Sequence, residues 1–223
     1  MNKTITTILT SLAMLLALTF PAGASIWGTH VSNSDLSGTR IVGNGLTSTG
    51  GDWTNVSINW NISQLANGNW QYIYDFNGDK KAVSHFILEV TQLSLPDTFN
   101  IYEGTTTGTI SGPDTWSNSG TGQPNPGTFN SFWGIKFDFG VSNSVYTLVT
   151  DRAPVWGVFY AKGAQDGVWS NALNFADYKT NVDLTDINFI VRPNGAPVPV
   201  PGALLLLGSG LVAVLGLRTR QNR

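Results

Sequence analysis

Few residues in this chain have the types and spacing that catalysis requires. The sequence holds two histidines, His30 and His85, and no cysteine, so thiolate nucleophiles and cysteine-ligated metals are excluded. A hydrolase triad needs a nucleophile, a base and an orienting acid, and no Gly-x-Ser-x-Gly elbow presents a serine here. His85 shares the predicted polar face of a strand with Glu89, which favours an exposed or hydrogen-bonded structural residue.

Paired carboxylates are the other catalytic option. Two acids roughly 5–9.5 Å apart suffice for cleavage of a glycosidic bond. The glutamates of the chain are Glu89 and Glu103, and the aspartates lie mostly in turns. A glycan-active enzyme stays open as a remote alternative, because the sequence alone does not place these acids in space.

Residues 75–79 superficially resemble a calcium loop. An EF-hand requires glycine at its sixth position and an acid at its twelfth, but those positions hold Lys80 and Phe86. A hairpin turn explains the segment better. We predict no metal site and no cofactor, while calcium held elsewhere by loop aspartates and carbonyls stays open.

Aromatic side chains are the one feature compatible with ligand binding, since sugar rings stack on exposed tryptophan or tyrosine faces. Trp116 is the tentative ligand contact, because it lies in a polar stretch with few apolar neighbours in sequence. Trp27 and Trp53 are weaker candidates, and any of the three could instead pack down to anchor its loop. The tryptophans expected in the core are Trp60, Trp133 and Trp156.

Arg152 precedes Pro154 at the entrance to an apolar strand. A guanidinium at such a position can join two loops through a bidentate bond to a carboxylate. We interpret Arg152 as a structural tie of this kind.

Alternation of apolar and polar residues with a period of two predicts the strands that position these groups. Asn67-Gly68 predicts a hairpin between the first two, and an apolar run on both faces predicts a central strand at 155–161. Residues 104–131 predict a long loop or a pair of short strands, and 171–178 at most a short helical turn. The predicted strands lie near residues 56–63, 70–76, 82–92, 133–139, 145–149, 155–161 and 187–191.

This spacing of strands and turns predicts an all-β domain, an antiparallel β-sandwich of jelly-roll type. Without the basic residues at the two ends, the domain keeps eight basic against 14 acidic side chains, a formal charge of −6. Nucleic acid and anionic lipid are therefore disfavoured as partners, since both demand a basic surface. The domain also has no disulfide to stabilise it.

The two ends of the chain carry targeting patterns. Residues 1–24 contain Lys3, an apolar run, and Ala22 and Ala24 at the −3 and −1 positions of a cleavage site, which is typical of an export signal removed by signal peptidase. Residues 202–217 carry no charge and predict a C-terminal transmembrane helix. The basic residues that follow stay on the cytoplasmic side, and they are Arg218, Arg220 and Arg223.

The predicted membrane helix is short. At ~1.5 Å per residue it covers roughly 24 Å, which is less than the ~30 Å hydrocarbon core. Such a marginal anchor suits a transient substrate of a membrane protease. The predicted organisation is a signal peptide (1–24), an exported domain (25–193), a linker with a proline motif (194–201), a transmembrane helix (202–217) and a basic cytoplasmic tail (218–223).

A proline motif leads into the apolar segment, and its residues are Val198, Pro199, Val200, Pro201 and Gly202. With its Pro-x-Pro motif, apolar helix and arginine-rich end, the tail resembles that of the PEP-CTERM proteins, which exosortases sort in Gram-negative bacteria. The resemblance covers about a ninth of the chain. Val200 stands where the name-giving motif has glutamate, and this variant form belongs to the same class.

The resemblance implies sorting by an exosortase-like membrane enzyme, often alongside exopolysaccharide production. Our leading hypothesis is a non-enzymatic, exported surface or extracellular-matrix protein, held by its C-terminal helix until it is processed. A carbohydrate-binding module that uses exposed aromatics is the alternative. A plain single-pass anchor with no processing also stays open for the tail.

Overall fold

A computed structural model describes residues 25–92, 103–104, 109–118, 125–141 and 143–194. Most of these residues are in strands, so the prediction of a β domain is confirmed. Short 3-10 helices lie at Asn33–Asp35, Asn171–Asn174 and Asp186–Asn188. The strands are β1 (Ser37–Val42), β2 (Gly45–Thr49), β3 (Ser57–Gln64), β4 (Trp70–Asn77), β5 (Val83–Glu89), β6 (Glu103–Gly104), β7 (Thr109–Trp116), β8 (Phe132–Val141), β9 (Asn143–Thr150), β10 (Pro154–Gly157), β11 (Phe159–Gly163), β12 (Asp166–Ser170) and β13 (Ile190–Pro193).

Eleven of the described strands form one sheet, in the order β6-β9-β4-β3-β1-β2-β12-β11-β5-β8-β7. The neighbouring pairs are antiparallel, apart from the short parallel pair of β1 and β2. Strands β10 and β13 form a separate antiparallel ribbon. The sheet is therefore mixed but mainly antiparallel.

The large sheet curls so that its two halves face each other across one core. Phe86 of β5 lies at the centre, with its ring 4.6 Å from that of Tyr146 on β9 and 5.4 Å from that of Phe159 on β11. Tyr74 of β4 approaches the same ring to 5.8 Å. These rings come from both halves of the sheet, and burying such large apolar side chains supplies much of the stability of a domain without disulfides.

The alternation that predicted β3 and β4 corresponds to their burial. Ile58, Trp60 and Ile62 are buried while the residues between them are at least partly exposed. In the connecting turn Gly68 has φ of 88°, which favours glycine, and the Asn69 N–H donates to Asn67 Oδ1 at 3.0 Å. The predicted hairpin is confirmed.

The predicted central strand at 155–161 is divided at Val158. Its first part, β10, pairs with β13, and its second part, β11, pairs with β5 and β12. At the break the Val158 N–H donates to Glu89 Oε2 at 3.0 Å. A side-chain carboxylate thus takes a backbone donor, and the chain passes from one sheet to the other at this point.

The prediction has no counterpart for strands β1, β2 and β12. Together they connect the two halves of the sheet. Strand β7 occupies part of the predicted loop, and Ile187 lies in a 3-10 helix rather than in the last strand.

The described residues contain no helix long and apolar enough to cross a membrane. The predicted signal peptide and transmembrane helix fall outside the described part of the chain.

Candidate functional site

Strand β5 presents its two faces to different surroundings. Phe86 and Leu88 point into the core between the halves of the sheet, so His85, Ile87 and Glu89 lie on the opposite, outer face. All three outer residues are nevertheless buried. A second layer therefore covers this face of the sheet.

Loop residues form that second layer. The Phe129 ring stacks on Tyr160 of β11 with centroids 4.4 Å apart, and it lies 6.1 Å from the Trp169 ring of β12. The Tyr178 side chain, from the turn after the second 3-10 helix, is also buried. These contacts exclude water from the polar groups beneath.

Glu89 is the most heavily bonded of those groups. Its Oε1 accepts from the Tyr178 hydroxyl at 2.9 Å, and its Oε2 accepts from Trp27 Nε1 at 3.0 Å and from the Val158 N–H at 3.0 Å. The residue is 1% exposed. A buried carboxylate needs such donors, because burial without them carries a large desolvation cost.

Arg192 of β13 supplies the counter-charge. Its Nε lies 3.4 Å from Glu89 Oε2, and the arginine is fully buried. Its Nη1 donates to Thr91 Oγ1 and to the Pro193 carbonyl, both at 3.0 Å. The ion pair links β5 of the large sheet to β13 of the small ribbon. We call Glu89, Arg192, Trp27 and Tyr178 the Glu89 network.

Trp27 belongs to the first segment of the chain that the structure describes, and this segment brings it into the Glu89 network. Residues 25–31 run beside β10: the Gly28 N–H donates to the Trp156 carbonyl at 2.8 Å, and the Trp156 N–H donates to the Thr29 carbonyl at 3.1 Å. His30 pairs with Val155 and is exposed. The Trp27 ring then meets Tyr178 edge-on, with centroids 6.4 Å apart.

A cavity of about 420 Å³ lies beside the network. It is lined by Asn130, Ser131 and residues 176–180. Lys179 belongs to both, since it lines the cavity and its Nζ lies 3.9 Å from Glu89 Oε1 and 5.1 Å from the centre of the Trp27 ring. The lining is mainly polar, with Lys179 as its cation and Asp177 as its anion.

His85 lies four residues from Glu89 on the same face. Its Nε2 is 3.0 Å from Asn125 Oδ1, and its cross-strand partners are Lys162 and Asp138. Burial, and next the charge of Lys136, lower the His85 pKa to about 4, with Lys162 acting in the same direction and with Asn125 and Asp138 opposing. His85 is therefore neutral at neutral pH.

Trp116 ends β7, which lies at one end of the described strand order. The residue is half-buried, and its Nε1 donates to the Gly134 carbonyl at 2.8 Å. Lys136 Nζ lies 5.6 Å from the ring centre, a cation–π contact. The tentative ligand contact is thus in a strand and not in a loop, and its ring remains partly accessible.

The other tryptophans named from the sequence differ in how deeply they are buried. Trp53, a weaker ligand candidate, is fully buried and packs on Phe76 at 5.7 Å, which is the alternative in which the ring packs down to anchor its loop. Trp60 and Trp156 are core residues as predicted, and Trp133 is half-buried. The sorting-motif, basic-stop and cleavage-site residues named above fall outside the described residues.

Two further predictions concern polar groups. Residues 75–77 are the end of β4, and the turn after them leads to β5. The Asp79 N–H donates to Asn77 Oδ1 at 3.0 Å within this turn. The predicted hairpin is wrong, because β4 and β5 are not neighbours in the sheet and the chain crosses here from one half of the sheet to the other. Arg152 is buried, its Nε lies 3.1 Å from Asp151 Oδ1, and its carbonyl accepts from the Tyr72 hydroxyl. The carboxylate that the structure describes beside Arg152 is that of its own neighbour, so the predicted tie between two loops stays a prediction. Across the described ranges, no cluster of three or more histidines or acids could hold a metal ion.

Comparison with family models, with characterised proteins and with solved structures finds no match for this chain. The chemistry open to the site follows from its own groups. Glu89 is enclosed and its oxygens are occupied by donors, whereas Lys179, Asp177 and Ser131 are exposed. The buried carboxylate fixes the turn, and the exposed groups can meet a ligand.

Sequence reasoning missed Tyr178, Lys179 and Arg192 as members of one site, because they are far from Glu89 along the chain. One signal was present. Glu89 ends a run in which Ile87, on the same face, is apolar. An apolar residue on the supposed solvent face indicates that this face is covered, and a covered glutamate requires donors.

Proposed function

We propose that the chain is a non-enzymatic, exported surface or extracellular-matrix protein that associates with exopolysaccharide. The observation that carries the proposal is the pair of targeting patterns at the ends of a cysteine-free β domain. An exported domain of this kind must be stable without disulfides, and the aromatic core described above supports that.

The proposed processing involves signal peptidase at the N-terminus and an exosortase-like enzyme at the Val-Pro-Val-Pro-Gly motif. The protein is held in the membrane by its C-terminal helix and is then released to the cell surface or matrix.

The enclosure of Glu89 supports a non-enzymatic role. A general acid or base must reach its substrate, and this carboxylate is covered by Trp27, Tyr178 and Arg192. A glycan-active enzyme would need two accessible carboxylates facing one cleft. It stays the remote alternative.

The carbohydrate-binding alternative now rests on hydrogen-bonding groups rather than on exposed aromatic rings. Among the described residues, every tryptophan and tyrosine is buried or half-buried, which speaks against a row of exposed rings. The polar cavity beside the Glu89 network favours recognition through hydrogen bonds instead. Trp116 stays a candidate contact at a separate place.

We also propose that the curled sheet is a sandwich of jelly-roll type. Ring contacts between β4, β9, β5 and β11 support two facing layers. The continuous hydrogen bonding through β1, β2 and β12 distinguishes it from a sandwich of two separate sheets.

Mass spectrometry of the mature protein from the producing cell tests the proposed route. We expect a chain that begins at Ser25 and lacks the residues after the Pro-x-Pro motif. An intact Arg223 in the outer fraction would contradict processing and favour a plain anchor. Replacing Pro199 and Pro201 by alanine should retain the tail in the membrane, whereas alanine at Pro193, inside β13, should leave its removal unchanged.

A further inference from the structure

We propose that the cavity lined by Asn130, Ser131 and residues 176–180 binds one unit of a neutral, polyhydroxylated saccharide. The inference rests on the proposed association with exopolysaccharide and names the site that would make the contact. The volume of about 420 Å³ lies within the roughly 300–1,000 Å³ of small-molecule sites.

The walls of the cavity are held in place by backbone bonds. The Tyr178 N–H donates to the Phe175 carbonyl, and the Thr180 N–H donates to the Asp177 carbonyl at 2.8 Å. On the opposite wall Asn130 bonds to the Leu173 carbonyl through both its N–H and its Nδ2. The turn and the loop are therefore fixed relative to the second 3-10 helix.

The Glu89 network also holds the turn at residues 176–180 in place, through Tyr178. The Tyr178 hydroxyl is bonded to a carboxylate that Arg192, Trp27 and Val158 also hold. A buried ion pair contributes little net stability compared with an apolar pair of the same size. Its evident effect here is to set the position of Tyr178 and the adjacent Lys179, and such pre-organisation is what a binding site requires.

The exposed groups of the cavity match hydroxyls better than ions. A sugar hydroxyl both donates and accepts, and the lining residues include side chains that donate (Lys179, Ser131) and side chains that accept (Asp177, Asn130). Lys179 and Asp177 cancel in formal charge. The domain as a whole is acidic, so an anionic ligand would meet unfavourable electrostatics.

Lys179 is the residue on which the test depends. Its side chain is 45% exposed, but its ammonium lies 3.9 Å from the buried Glu89 Oε1, so the urea midpoint of each variant is measured beside its binding to separate lost contact from a disturbed turn. Lys80 is a matched control, because it is an exposed lysine in the turn at the opposite end of β5. Lys179→Ala and Lys80→Ala therefore remove the same charge at two places.

The full chain, purified in detergent, is applied to an array of defined neutral and uronate-containing oligosaccharides. We expect binding to neutral glycans that weakens about tenfold or more in Lys179→Ala, weakens in Asp177→Asn, and is unchanged in Lys80→Ala and Trp116→Ala. Binding should be unaffected by inorganic phosphate. Acetylation of Lys179 in the wild-type chain should be slowed by the bound glycan, while that of Lys80 is not.

Any of the following results would overturn the inference. These are no binding to any neutral glycan, equal binding by Lys179→Ala, or selective binding of uronates that phosphate and salt abolish. The last result would identify an anion site instead. Loss through Trp116→Ala alone would move the contact to β7 and would equally reject the cavity.

The proposed sorting can fail independently. Mass spectrometry of the tail does not depend on Lys179. A processed tail with no glycan binding would reject the cavity site and leave sorting intact, whereas glycan binding by a chain that keeps its tail would do the reverse.

Discussion

His85 and Glu89 lie on the same face of β5, four residues apart, and they are 9% and 1% exposed. The two side chains are buried among opposite kinds of partner. Glu89 faces donors on every side and a buried arginine. His85 has a neutral amide as its hydrogen-bond partner, and lysines on two neighbouring strands oppose its protonation.

The two-residue period of a strand determines on which face a side chain lies, but it does not determine whether that side chain is charged once it is buried. Alternation places both residues on the outer face. The loops that cover this face then determine the form each side chain takes, because a charge survives burial only where partners are supplied. One end of β5 thus holds an ion pair, and the other end holds a neutral ring.

Glu89→Gln is expected to have the largest effect, because it leaves Arg192 buried beside a neutral group. Breaking a buried pair from one side costs about 3–5 kcal/mol, and the amide nitrogen must also face donors. The free energy of unfolding, from urea titration followed by tryptophan fluorescence, should fall by this amount.

A double-mutant cycle isolates the pair. Arg192→Met combined with Glu89→Gln should cost less than the sum of the single changes, with a coupling of about 0.5–3 kcal/mol. Additive losses would show that the two side chains do not stabilise each other.

His85 should make unfolding depend on pH. The pKa of the unfolded residue is about 6.5 and that of the folded residue is about 4, so between these values the unfolded chain binds a proton that the folded chain does not. Stability from this residue is complete above pH 6.5 and declines by about 3 kcal/mol as the pH falls towards 4.

Urea midpoints of the wild type and of His85→Gln at pH 7 and pH 4.5 measure this effect. Other groups titrate in the same range, but they are common to both chains. The wild type should lose more stability than the variant on acidification. An equal loss would mean that His85 titrates normally and is not shielded by residues 125–129.

The strands and turns that depend on a local sequence pattern could be predicted from the sequence. The β3–β4 hairpin follows from alternation and Asn67-Gly68, and β5 was located correctly. The covering of its outer face could not be predicted, because Phe129 and Tyr178 come from segments without periodicity and reach it only through the folding of the sheet. For the same reason the sequence left two options open for Trp53, since a loop aromatic that folds back onto Phe76 has no strand pattern.

Two tyrosines allow a hydrogen bond to a charged acceptor to be compared with one to a neutral acceptor on the outer face of the sheet. The Tyr178 hydroxyl donates to the Glu89 carboxylate at 2.9 Å, and the Tyr160 hydroxyl donates to the Pro126 carbonyl at 3.1 Å. Both rings are buried on the same outer face. Phenylalanine at either position keeps the ring and removes only the hydroxyl.

A bond to a charged group contributes roughly 1.5–3 kcal/mol, against roughly 0.5–1.5 kcal/mol for a neutral pair. Tyr178→Phe should therefore lower the free energy of unfolding by more than Tyr160→Phe, and the same urea titration compares them. Equal losses, or a larger loss in Tyr160→Phe, would contradict a charged Glu89 network. If Glu89→Gln is introduced first, the difference between the two tyrosine variants should narrow, because both hydroxyls then donate to neutral acceptors.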